Sequence, residues 1–180
     1  EGFTLYIPST IELLNDYSFD NCKIYRFNDK NEEKEIDLAS FFFKTCKEIG
    51  KYAFSDSSLT NIIYETQKDG SLEVPTNEGI EVFKEGAFKN TRIEEFIFPK
   101  TLKTIEKDCF KDCNNLKTIY FEGTIEEYQN IVVEEGNEIL NDVEVLYFSK
   151  EKVDNGWYYK KISASDPSSK KPTLCLPTRY

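Results

Sequence analysis

The stretch that decides the fold is Pro99-Lys100-Thr101-Leu102-Lys103-Thr104-Ile105-Glu106-Lys107-Asp108-Cys109-Phe110-Lys111-Asp112-Cys113-Asn114-Asn115-Leu116-Lys117-Thr118-Ile119-Tyr120-Phe121. Its pivot is Phe110, preceded by a small residue and, five residues further back, by an apolar one. The same frame surrounds Phe19, Phe54 and Phe88. Around Phe19 it reads Ile7-Pro8, Ile11, Leu14, Phe19, Cys22, Ile24 and Phe27; around Phe54 it reads Phe43, Cys46, Ile49-Gly50, Ala53-Phe54, Leu59 and Ile62. Around Phe88 it reads Ile80, Phe83, Ala87-Phe88, Ile93 and Phe96-Ile97-Phe98. One apolar template met four times predicts a stacked array, because a unit of this size cannot bury its apolar face alone.

The pivots lie 35, 34 and 22 residues apart. A unit of about 22 residues falls in the ~20–29 range of leucine-rich repeats. Two polar stretches supply the extra residues of the longer steps, Asn28–Glu35 and Glu65–Ser71. Insertions into such arrays collect in surface loops, which is the expectation for both.

This pattern resembles the BspA-like leucine-rich repeat family. The resemblance is carried by Ile49-Gly50-Lys51-Tyr52-Ala53-Phe54, Gly86-Ala87-Phe88, Phe96-Ile97-Phe98-Pro99 and the shared cysteine position of Cys22 and Cys113. It runs from about residue 3 to 150. Phe43 stands where the family has proline, and Cys109 where it has alanine. The segment Gly123–Ile131 is similar to the piece that closes such arrays, with Tyr128 at the usual tryptophan position. The implied fold is a repeat solenoid: a leucine-rich-repeat-like stack of short parallel strands with an irregular or short-helical convex side and a C-terminal cap. Residues 1–150 are expected to form four to five units closed by a cap at 123–150. Residues 151–180 are expected to add a short strand, around Trp157-Tyr158-Tyr159, and a flexible tail rich in Ser, Pro and Lys from Ser163 onward.

Within each unit, alternating apolar residues mark a strand, and the residues between them face the other way. Stacking aligns those outward residues into columns. One column reads Tyr6, Asn28, Ile63, Ile97 and Tyr120, and its neighbour reads Thr4, Arg26, Asn61, Glu95 and Thr118. Outward strand positions are usually polar, so the apolar character of the first column has two readings. It is an exposed binding face, with Tyr6, Arg26, Ile63, Glu95, Ile97 and Tyr120 as contacts. Alternatively, those residues merely suit strands, or the inserted loops cover them. The loops themselves are a further candidate for contact. At the C-terminal end, Thr124 and Glu127 form a capping box, and Ile125, Tyr128, Ile131 and Val132 share one helical face read as the shield of the open core.

Composition narrows the function classes. A net charge of −10 and a pI near 4.7 argue against nucleic acid and anionic membranes as partners. No apolar run is long enough to span a bilayer. The chain opens at Glu1 inside a repeat and is expected to be a mature or trimmed form. Of five cysteines, Cys22, Cys46, Cys109 and Cys113 occupy repeat positions and read as free, buried hydrophobes; Cys175 has no such frame. Cys109-x-x-x-Cys113 has neither a histidine nor a second pair, as zinc would require. The chain has no histidine, which removes the commonest general base and metal ligand. There is no glycine-rich phosphate loop. No catalytic residue, metal or cofactor is assigned. The resemblance implies a non-catalytic adhesion or ligand-binding module, displayed on or secreted from a microbial cell, whose partner is a host or neighbouring-cell surface or matrix protein. The alternatives are an intracellular protein-interaction scaffold and a structural spacer of a larger protein.

Overall fold

The structure is a computed structural model and describes residues 12–23, 25–27, 33–35, 46–58, 64–65, 79–162 and 174–180; for 25–27, 33–35, 64–65, 159–162 and 174–177 it describes the backbone. Five two-residue strands, β1 (Leu13–Leu14), β4 (Glu48–Ile49), β6 (Val82–Phe83), β8 (Thr104–Ile105) and β10 (Val132–Val133), pair in parallel in that order. The register runs Leu14, Ile49, Phe83, Ile105, Val133. Successive positions are 35, 34, 22 and 28 residues apart, so the sequence frame continues into a fifth rung. Gly50 lies beneath the first rung so closely that a Cβ there would stand 2.5 Å from the Asn15 carbonyl carbon.

After each of the first four short strands the chain makes a six-residue turn that enters and leaves through the left-handed region. Tyr17, Tyr52, Gly86 and Asp108 form the first left-handed column, and Asn21, Asp56, Asn90 and Asp112 the second, all with φ between 52° and 63°. Asn and Asp tolerate that conformation best after glycine, which explains their recurrence in the second column. In the first column, Tyr17 stacks on Tyr52 at 5.3 Å. Tyr52 in turn lies against Gly86, where a Cβ would come within 2.3 Å of its ring.

These turns aim alternate amides at the next rung. Tyr17, Phe19 and Asn21 donate to the carbonyls of Lys51, Ala53 and Ser55 at 2.7–2.8 Å; Tyr52, Phe54 and Asp56 repeat the pattern onto Glu85, Ala87 and Lys89. The four pivot phenylalanines lie one above another, with centroids 5.3 Å apart from Phe19 to Phe54, 5.6 Å from Phe54 to Phe88 and 5.3 Å from Phe88 to Phe110. The last rung ends this column. There the Phe110 amide donates to the side-chain oxygen of Asn137 at 2.9 Å rather than to a backbone carbonyl. The Asn137 amide nitrogen donates to the carbonyls of Glu106 and Glu134.

The longer strands build a second, six-stranded sheet. β7 (Glu95–Phe98), β9 (Thr118–Phe121) and β11 (Glu144–Phe148) are parallel and one rung apart. Beyond β11 come β12 (Gly156–Ile162) and β13 (Leu174–Arg179), an antiparallel hairpin, and then β5 (Tyr64–Glu65). The order is β5-β13-β12-β11-β9-β7. Its two outermost strands, β5 and β7, follow β4 and β6, which are neighbours in the first sheet. Within the six-stranded sheet the hairpin joins β11 to β5.

Several expectations change. The region read as a flexible tail contains β13, although 163–173 lie outside the described residues. The first insertion is not only loop: Glu33–Glu35 forms β3, antiparallel to β2 (Tyr25–Phe27), with Arg26 opposite Lys34. Of the second insertion only Glu65 is described, in β5. The helix α1 (Ile125–Gln129) starts with both halves of the Thr124–Glu127 capping box in place. Its expected apolar face is split, however. Tyr128 and Ile131 pack on the core while Ile125 and Val132 are exposed, because Val132 belongs to the edge strand β10 and not to the helix.

Candidate interaction surfaces

Two surfaces follow from this architecture. The first is the outward face of β7, β9 and β11, where the anticipated contacts fall. The register aligns Glu95 with Thr118 and Glu144, and Ile97 with Tyr120 and Leu146, so the two described columns stand as read from the repeat. Their exposure does not. Ile97 is 1% exposed and Tyr120 4%, against the expectation of an open apolar patch. The cover is the C-terminal hairpin. Trp157, fully buried, packs edge-on against Tyr120 and Phe148, both at 5.4 Å, and its indole N–H donates to the Phe121 carbonyl at 2.9 Å. An apolar column on a rigid sheet loses free energy in water, about 25 cal/mol per Å² left uncovered, and the chain supplies its own cover.

A polar clasp holds the rim of this cover. Arg179 of β13 reaches both oxygens of Glu144, at 3.0 and 2.7 Å, and donates to the Thr118 hydroxyl at 3.3 Å. The Tyr120 hydroxyl donates to Glu95 at 3.3 Å. Burial pushes the Tyr120 hydroxyl pKa up, and the nearby Glu95 carboxylate adds to the rise. Glu95 itself remains exposed. Arg26 lies in β2, away from β7, and only its backbone is described; Tyr6 and Ile63 lie outside the described residues.

Sequence reasoning missed the second surface. It is a groove of about 340 Å³ at the corner between turn and long strand, running down four rungs along Asn21, Asp56, Asn90 and Asp112. Eleven residues line it, and none is apolar or aromatic. Lys23 and Arg92 balance Asp56 and Asp112, so the groove is formally neutral within a chain of net charge −10. The Asn90 amide donates to one oxygen of Asp56 and the Ser55 hydroxyl to the other, and in that order these two bonds lower the Asp56 carboxyl pKa. Two buried hydroxyl residues also contribute. Thr91 Oγ1 lies 3.4 Å from Cys113 Sγ, whereas Ser57, 3% exposed, has an Oγ with no hydrogen-bond partner. The available signal was the recurrence of Asx at 21, 56, 90 and 112, each with a hydrophilic residue two positions on (Lys23, Ser58, Arg92 and Asn114).

The remaining chemistry is spare. Cys22, Cys46, Cys109 and Cys113 are free, and burial raises the thiol pKa of the last three. Among the described residues no three His, Cys, Asp or Glu side chains gather as a metal site, and no helix is long and apolar enough to cross a membrane. Short parallel strands, one rung per repeat, with few helices, are the build of a leucine-rich repeat protein. A family model described as BspA type leucine rich repeat region matches in six copies, over residues 3–71 and 37–160. The chain belongs to the BspA-type leucine-rich repeat family. Neither the curated proteins nor the solved structures compared with it give a match.

Proposed function

We propose that this chain is a non-catalytic protein-binding module of the adhesion type, displayed on or secreted from a microbial cell. On this reading residues 1–150 form a solenoid of about five units, closed at its C-terminal end, and 151–180 strap across one side. The observation that carries the reading is the rung-to-rung ladder, in which turn amides bond the next rung and four phenylalanines stack through the middle. A surface locked in this way loses little ordering entropy when a partner arrives. With Ile97 and Tyr120 buried, the contacts are the exposed rim at Glu95, the corner groove and the β2–β3 hairpin, with Arg26 on that hairpin. The partner is a host or neighbouring-cell surface or matrix protein. Four free cysteines favour one second reading, an intracellular scaffold in a reducing compartment.

The test is surface plasmon resonance of the purified chain against extracellular matrix and cell-surface proteins, with cytosolic proteins as a parallel set. Saturable binding confined to the extracellular set is the expected result. Binding confined to cytosolic proteins would transfer the module to the scaffold reading.

A further inference from the structure

The corner groove is polar throughout. Its walls are amides, hydroxyls, carboxylates and cationic groups, and its charges cancel. A protein partner gains most of its affinity from a few apolar or aromatic anchors seated in pockets, and this groove offers no such seat. A phosphate or sulfate group would meet Asp56 and Asp112, and a cationic peptide would meet Lys23 and Arg92. What fits is a ligand that is uncharged and dense in hydroxyls able both to donate and to accept.

We propose that the groove binds a neutral glycan chain, lying along the stack of rungs. This inference rests on the adhesion reading and names what the module reads on its partner's surface. Two observations support it. First, the volume of about 340 Å³ is at the lower end of the range for specific small-molecule sites, roughly 300–1,000 Å³. Second, the exposed side chains of Asn114 and Asn115 make no hydrogen bond to a described residue and stand at the last of the four rungs. Sites built on hydrogen bonds to hydroxyls discriminate strongly against ligands that cannot return them.

The experiment uses the full chain against immobilised uncharged oligosaccharides (glucose, mannose, galactose and N-acetylglucosamine oligomers), with sulfated forms of the same backbones as charged controls. One variant accompanies it. Asn114→Ala with Asn115→Ala removes exposed amides at one end of the groove.

The expected result is binding to at least one uncharged oligomer and weaker binding to its sulfated form. The variant should weaken that binding by about 3- to 10-fold, the scale of one neutral hydrogen bond. Its melting temperature should hold, which separates lost contact from lost fold. Absence of binding to every uncharged oligomer overturns the proposal, as does preference for sulfated chains or indifference to the variant. Retention of a glycoprotein partner after its glycans are removed also overturns it, while leaving the adhesion reading intact.

Discussion

The inner and outer faces of β7, β9 and β11 are both kept from water, by different means. Inside, Phe96, Phe98, Ile119 and Phe121 meet the column of pivot phenylalanines, where each rung supplies one more copy of the same part. Outside, Ile97, Tyr120 and Leu146 are buried as well, Tyr120 against Trp157 of a hairpin that occurs once and is clasped by Arg179. A repeated core spreads a local defect over neighbouring rungs, in the manner of a one-dimensional array. A single strap has no neighbour to share with, so its failure should be all-or-none and local.

The largest expected effect tests the inner face. Phe88 stacks between Phe54 and Phe110 and meets Phe83 and Phe96 edge-on. Phe88→Ala should cost close to the upper end of the ~3–5 kcal/mol typical of Phe→Ala in a core. Against total stabilities of about 5–15 kcal/mol, urea unfolding followed by circular dichroism should show the whole array failing. A loss below about 1 kcal/mol would mean that the column is not the shared support described above.

Trp157→Ala comes next, toward the lower end of the same range, since it leaves the phenylalanine column intact. Limited proteolysis should then cut between 150 and 180 while a fragment holding the phenylalanine column survives. In the unaltered chain, the sole tryptophan makes fluorescence a private report on the outer face. Its transition should come at lower urea than the circular dichroism change. Coincident transitions would unite the two faces into one cooperative unit and break the comparison.

The smallest effect is in alkali. Burial pushes the Tyr128 hydroxyl up to about 12 from its ordinary 10, where the ring packs between Phe121 and Tyr147 at the end of the inner face. The folded chain holds this proton more tightly than the unfolded one. Its contribution is therefore fully present below pH about 10 and is lost as pH rises toward about 12. Tyr128→Phe should flatten the fall of melting temperature across that window. Tyr120, also raised, keeps part of the slope on the outer face.

What repeats was legible, and what occurs once was not. The frame of Phe19, Phe54, Phe88 and Phe110 fixed the rungs because each copy checks the others, and strict alternation placed Glu95 beside Thr118 and Ile97 beside Tyr120. Alternation assigns a side chain to a face without saying what lies over that face. The cover of Tyr120 comes from Trp157, 37 residues downstream, on a strand that pairs with one from the Ser-, Pro- and Lys-rich region read as tail. Pro177, opposite Tyr159 in the hairpin, belongs to a strand by tertiary pairing rather than by propensity. Val132 was assigned to the wrong element because a helical period and a two-residue strand cannot be told apart over so short a span. The groove was hidden for the opposite reason. Its lining comes from corners 22 to 35 residues apart, at positions where Asn and Asp already have a conformational reason to be.

Asn137 carries a consequence for how the ladder can fail. The turn amides of Phe19, Phe54 and Phe88 each meet a backbone carbonyl of the following rung, a group that any residue supplies. At Phe110 a carboxamide takes that role and turns its own nitrogen back to Glu106 and Glu134. One joint under the phenylalanine column is thus written in a side chain, which a single codon change can erase, while those before it are written in the main chain.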